Sequence, residues 1–118
     1  MTELNTAQTL DLWAECRNAD PSGNGAQAWN RAIRDLSISA VSFQDHQFNE
    51  AVDFDGYRFP TADFREATFT GEANFSYAKF SGGASFGSVT FEQDVNFSHT
   101  TFTGKASFGK AACKKDAE

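Results

Sequence analysis

The sequence predicts an all-β repeat fold, a coil of short extended segments that follows two helices. Three observations predict it. The chain contains 13 phenylalanines in 118 residues, they recur at short regular intervals after residue 41, and a small or β-branched residue stands two positions before most of them. By length the chain forms one domain. Helical periodicity is confined to the segment before residue 41, so two parts of different structure are expected.

The first helix is predicted from a stripe of apolar residues near the N-terminus. Leu10, Trp13 and Cys16 fall on one helical face. Asn5 is placed to cap this helix, with Gln8 three residues later, which is the spacing of a capping box.

A loop and a second helix follow. Residues 18–25, NADPSGNG, concentrate turn-forming residues and cannot continue a helix. Asn24 is the expected cap of the next helix, whose apolar residues recur at spacings of three and four. The residues expected to cover the start of the repeats are Trp13, Trp29, Ile33 and Leu36.

The phenylalanines after residue 41 recur every five or six residues. Neither a helix nor a simple alternating strand keeps side chains at such intervals on one side. The ring and the small residue two before it can both point inward from a two-residue extended step, while the residue between them points outward. The predicted core ladder is Phe43, Phe48, Phe54, Phe59, Phe64, Phe69, Phe75, Phe80, Phe86, Phe91, Phe97, Phe102 and Phe108.

Four such sides in each turn would bring rings 21 or 22 residues apart into four columns. The Ser-Gly or Thr-Gly pairs after several rings are typical of corners. Cys113, with Ala111 two before it, takes the place of a ring in a fourteenth side. Fourteen sides make about 3.5 coils and a rod of about 17 Å, because parallel strands lie about 4.8 Å apart.

Residues 61–86, TADFREATFTGEANFSYAKFSGGASF, resemble the pentapeptide-repeat family, in a variant with Phe at the centre and alternating steps of five and six. The resemblance covers residues 41–113 and implies a right-handed quadrilateral parallel β-helix, with helices at one end. The predicted organisation is an N-terminal helical cap (1–40), the β-helix (41–113) and a polar tail (114–118). The family pattern is broken where larger or polar residues occupy small inward sites, at His46, Tyr57 and Thr100.

Charge and composition narrow the function. The net charge of −6 and the pI near 4.8 argue against nonspecific binding to nucleic acid or to an anionic membrane. The sequence has no apolar run of membrane-spanning length and no secretion signal, which favours a cytoplasmic location. Cys16 and Cys113 lack metal-ligand spacing and are expected to be free thiols.

No arrangement of residues indicates an enzyme, a metal site or a cofactor. His46 and His99 would lie about two and a half coils apart, too far to share a metal or a proton relay. The SGG sequence at residues 81–83 predicts a corner, because no phosphate-binding motif follows it.

We therefore expect a small interaction or scaffold module that binds a protein. A stacked coil exposes unpaired strand edges at both ends, and only the first end has helices to cover it. Phe108 and Cys113 mark the expected interface, with another protein or a second copy in a homodimer as the partner. The lysines at 110, 114 and 115 could discourage edge pairing there, or could belong to a solvated tail.

The resemblance also implies an alternative, an acidic DNA mimic that binds a type II topoisomerase (gyrase) and protects it from inhibitors. The net charge agrees with this function, but a rod of about 17 Å covers only about 5 base pairs. Outward Asp and Glu residues are also interrupted by Arg and Lys. Outward columns of Asn, Asp, Ser and Thr could present a flat binding face or could simply satisfy one another along the ladder.

Overall fold

A computed structural model describes residues 2–21 and 23–114 and shows two helices followed by a solenoid of short strands. The elements in chain order are β1 (Thr2–Glu3), α1 (Thr6–Ala19), α2 (Ala26–Asp35), β2 (Ile38–Ser42), β3 (Gln47–Phe48), β4 (Val52–Asp53), β5 (Arg58–Phe59), β6 (Thr61–Asp63), β7 (Thr68–Phe69), β8 (Ala73–Asn74), β9 (Lys79–Phe80), β10 (Ala84–Ser85), β11 (Thr90–Phe91), β12 (Val95–Asn96), β13 (Thr101–Phe102), β14 (Ala106–Ser107) and β15 (Ala112–Cys113).

The strands pair in parallel and form four sheets. The first sheet has the order β1-β2-β6-β10-β14, the second β3-β7-β11-β15, the third β4-β8-β12 and the fourth β5-β9-β13. Strands β2–β13 therefore make three turns, and β14 and β15 begin a fourth. The predicted all-β parallel solenoid with an N-terminal helical region is confirmed. Its right-handed sense and square outline stay predictions.

The phenylalanine rings stack in four columns, as the spacing predicts. The first column contains Phe43, Phe64, Phe86 and Phe108, with 4.9 Å between successive centroids. The second contains Phe48, Phe69 and Phe91 at 4.5 and 5.1 Å, the third Phe54, Phe75 and Phe97 at 5.2 and 5.1 Å, and the fourth Phe59, Phe80 and Phe102 at 4.7 and 4.9 Å. This ring spacing matches the distance between neighbouring parallel strands, so the rings and the strands stack with the same repeat distance.

Corners after the first and third columns are hydrogen-bonded turns. The N–H of His46, for example, donates to the carbonyl of Phe43 at 3.1 Å. The third residue of each turn has a positive φ, which a type II turn requires. These residues are Asp45, Gly56, Glu66, Tyr77, Ser88, His99 and Lys110.

Corners after the second and fourth columns include Gly71, Gly82 and Gly104. The chain turns there as expected, but none of these glycines has a positive φ. A Cβ on Gly71 would instead lie 2.6 Å from the main-chain nitrogen of Ala51 in the preceding coil. These glycines are therefore required for close contact between coils, a different reason from the turn geometry that Ser-Gly and Thr-Gly pairs suggest.

The helices close the N-terminal end of the solenoid. Asn5 and Gln8 form the predicted capping box at the start of α1. The indole rings of Trp13 and Trp29 are buried and lie 5.8 and 6.4 Å from the ring of Phe43, so both helices pack on the first coil.

Three details of this cap differ from the sequence prediction. Leu36 was expected to pack on the repeats beside a partly buried Ile33, but it follows the last turn of α2 and is 60% exposed. The cap residue of α2 is Gly25, although the Asn24 side chain still accepts a hydrogen bond from the Ala26 N–H at 3.0 Å. Strand β1 was not foreseen, and it covers the outer edge of β2.

Candidate functional site

The last strand of every sheet lies in residues 95–113, which we call the terminal coil. It comprises β12, β13, β14 and β15, each paired on one side to the coil before. Within residues 2–21 and 23–114, no strand pairs with their other edges. Main-chain donors and acceptors at such an edge can accept a further strand.

Burial of the rings falls off in the terminal coil. Within the first column, Phe86 has no exposed surface, whereas Phe108 is 42% exposed. Phe97 and Phe102 are only partly buried, and Cys113 in the ring position of β15 is exposed. The structure thus brings the predicted interface residues Phe108 and Cys113 to one open apolar end.

The charge of this end differs from that of the whole chain. Residues 95–114 contain Lys105, Lys110 and Lys114 and no Asp or Glu, although the chain carries a net charge of −6. All three lysines are exposed. Lys115, and the rest of the predicted polar tail after Lys114, lie outside the described residues. The open end is therefore apolar with a basic rim.

Comparison with known proteins agrees with this geometry. Residues 75–118 match a family model described as "Pentapeptide repeats (9 copies)". Residues 75–118 carry pentapeptide repeats. No curated protein and no solved structure gives a significant match to the chain.

Larger residues at small inward sites of the solenoid form specific contacts. The buried Tyr57 donates its hydroxyl to the carbonyl of Asn24 at 2.6 Å, and burial raises the pKa of Tyr57 to about 12. Thr100 donates to the carbonyl of Phe75 at 2.7 Å. His46 packs edge-on against Phe48 at 4.5 Å, and burial lowers the pKa of its imidazole. None of these three side chains disrupts the coil that holds it.

The outward Asn and Asp column on the third sheet supports the corners. The side-chain oxygens of Asp53, Asn74 and Asn96 each accept a hydrogen bond from the N–H two residues later, at 3.0, 2.9 and 2.7 Å. Asn74 also donates to Asp53 at 3.3 Å in the coil before. These residues follow the Asx-turn pattern, so their place before each ring has a structural cause.

Asp63 plays the same part on the first sheet. It accepts a hydrogen bond from the Arg65 N–H at 2.9 Å and forms a 2.7 Å ion pair with the guanidinium of that residue. Burial alone would raise the pKa of Asp63, but the hydrogen bonds from Arg65 outweigh it and lower the pKa.

One exposed aromatic pair was not predicted from the sequence. Tyr77, 61% exposed, stacks on His99 with ring centroids 4.7 Å apart and planes 10° apart. Both residues are third in a type II turn, and they lie 22 residues apart, the length of one coil. That spacing is the signal that could have revealed the pair.

The described residues include no group of three or more His, Cys, Asp or Glu side chains able to hold a metal ion. Cys16 and Cys113 are both free, and burial, followed by the charge of Glu15, raises the pKa of the Cys16 thiol. No described helix has the length and hydrophobicity to cross a membrane. The terminal coil is the strongest candidate for a functional surface.

Proposed function

We propose that the chain is a non-enzymatic protein-interaction module whose binding surface is the terminal coil. The observation that carries the proposal is the exposure of Phe108, whose ring stacks on the fully buried Phe86 at 4.9 Å. An exposed ring beside unpaired strand edges gains free energy when a partner covers both. Acidic composition and two free thiols support a cytoplasmic setting.

The partner is expected to bind by strand addition. The outer edges of β14 and β15 offer main-chain hydrogen bonds, and the rings of Phe97, Phe102 and Phe108 offer an apolar surface between the edges. In strand addition of this kind, main-chain hydrogen bonds provide the affinity and side-chain contacts provide the specificity.

Charge favours a partner other than a second copy. Two terminal coils meeting face to face would bring together two sets of Lys105, Lys110 and Lys114, and like charges at close range repel. A protein with acidic residues around an apolar patch complements the surface better. A homodimer remains the competing outcome. Residues 95–114 contain no Asp or Glu, so this part of the chain does not support the alternative function, an acidic DNA mimic that binds a type II topoisomerase (gyrase).

The test compares the chain with Phe108→Glu and with the control Leu36→Glu. The control adds the same charge at an exposed apolar residue on the helical cap. We expect affinity capture from the native cell to retain a protein with the chain and with Leu36→Glu, and to lose it with Phe108→Glu. Circular dichroism checks that each variant is folded.

Light scattering after size-exclusion chromatography shows whether a second copy of the chain or a different protein binds the terminal coil. A monomeric chain that captures a protein through Phe108 supports a different partner, whereas a dimer abolished only by Phe108→Glu places a second copy on the terminal coil. The proposal is wrong if Phe108→Glu changes neither the molar mass nor the captured protein.

A further inference from the structure

A basic cleft lies between helix α2 and the first two strands of the fourth sheet, β5 and β9. Its volume is about 630 Å³, within the range of ligand-binding pockets. The buried Phe59 and Pro60 form its floor together with the partly buried Ile33. The cationic side chains that line it are Arg31, Arg34, Arg58 and Lys79.

The cleft concentrates positive charge on an acidic protein. It holds four of the 10 Lys and Arg residues of the chain, and no Asp or Glu is among its lining residues. Asp35 bonds the guanidinium of Arg34 at 2.8 Å, but both side chains are more than half exposed, so this pair is weak. Arg31, Arg58 and Lys79 form no ion pair within the described residues.

The two walls of the cleft come from different elements. Arg31 and Arg34 are one turn apart on α2, and Arg58 and Lys79 are register partners on β5 and β9. Adjacent strands lie about 4.8 Å apart, so the second pair presents two cations side by side. Side chains from both walls can therefore reach a ligand that lies along the cleft.

We propose that the basic cleft binds an acidic segment of another protein, in extended form, with an apolar side chain on the Phe59 and Pro60 floor. The guanidinium group of an arginine can donate two parallel hydrogen bonds to one carboxylate. A single compact phosphate is less suited, because the four cations are spread along one turn of α2 and two adjacent strands. The proposal extends the interaction role, but its residues are separate from the terminal coil.

The test is a titration followed by ¹H–¹⁵N NMR of the full chain. The probe is the blocked peptide Asp-Glu-Leu-Glu-Asp, and its amide counterpart Asn-Gln-Leu-Gln-Asn is the control ligand. We expect the acidic peptide alone to shift the amides of residues 27–34, 58, 59 and 79–81. Raising salt from about 0.01 M to about 0.1 M should weaken binding, because the Debye length falls from about 30 Å to about 10 Å.

Two double variants with equal change of net charge locate the site. Arg58→Gln with Lys79→Gln should weaken binding about tenfold, as expected for two lost charge pairs. Lys110→Gln with Lys114→Gln, on the terminal coil, should weaken binding by no more than about twofold, because neither side chain lines the cleft and only the change in overall charge acts on the ligand. All four side chains are exposed, so each variant should fold.

Three results would overturn the proposal. The first is that the amide peptide binds as tightly as the acidic peptide. The second is that both double variants lose the same affinity for the acidic peptide. The third is that the acidic peptide shifts no amide at the cleft and is displaced by inorganic tripolyphosphate. Failure here leaves the capture experiment with Phe108→Glu unaffected, so the two proposals can be judged separately.

Discussion

The side chain of Asn30 on helix α2 pairs with the main chain around Arg58 as a neighbouring strand would. Its oxygen accepts a hydrogen bond from the Arg58 N–H at 2.7 Å, and its amide nitrogen donates to the carbonyl of Gly56 at 3.0 Å. One residue of a preceding parallel strand would satisfy the same two groups. Asn30 thus completes the first edge of the fourth sheet without a strand.

Replacing Asn30 by alanine should destabilise the protein by about 1–3 kcal/mol, because two main-chain groups lose their partners. Chemical denaturation measures the loss, and hydrogen exchange at the Arg58 amide should become faster. Gln27→Ala, one turn earlier on an exposed position of the same helix, is the control. Equal destabilisation by the two variants would contradict the strand-like role of Asn30.

Two adjacent glycines should respond in opposite ways to alanine. A Cβ on Gly82 would meet the side chain of Thr61 and lie 2.8 Å from its main-chain nitrogen. On Gly83 the nearest atom would be the Lys105 carbonyl oxygen at an ordinary 3.7 Å. We expect Gly82→Ala to cost about 1–3 kcal/mol by overpacking and Gly83→Ala to be neutral or stabilising by up to about 1 kcal/mol. Thermal unfolding of both variants checks this order, and the reverse order would refute it.

Removing a ring should cost most in the middle of a column. Phe75 is fully buried between Phe54 and Phe97, at 5.2 and 5.1 Å. Phe75→Ala should destabilise by about 3–5 kcal/mol, since the cavity has rings on both sides. Phe108→Ala should cost less than half as much because its ring is already 42% exposed. Urea titrations of the two variants would show equal losses if the terminal coil were instead covered.

Stability should fall in strongly alkaline solution because of Tyr57. Burial raises the pKa of Tyr57 to about 12, above about 10 for an exposed tyrosine. Above pH 10 the unfolded chain therefore binds fewer protons at this residue than the folded chain, so the stabilisation is complete below pH 10 and is lost as the pH rises towards 12.

The variant Tyr77→Phe leaves Tyr57 as the remaining tyrosine of the chain, so its tyrosinate absorbance can be titrated alone. In Tyr57→Phe, the loss of stability between pH 10 and 12 should become shallower. A titration midpoint near pH 10 for Tyr57 in the folded protein would contradict the burial argument.

The sequence was sufficient to predict the ring columns and the parallel stacking, because each Phe and the small residue before it repeat with one spacing. It did not predict strand β1 or the exposed Leu36. Two residues such as Thr2–Glu3 carry no period, and the position of Leu36 depends on where α2 ends. The basic cleft was hidden for a related reason, since Arg31 and Lys79 come together only through packing of a helix on the solenoid.

The chain order of the cap and the coils has a consequence for synthesis. The helices and their Trp29 anchor leave the ribosome before the repeats, so each new coil meets a finished surface on which to fold. We expect nascent chains to become protease-resistant one coil at a time, from Phe43 towards Phe108. Limited proteolysis of ribosome-stalled chains of increasing length would reveal this vectorial order, and protection that appears only at full length would exclude it.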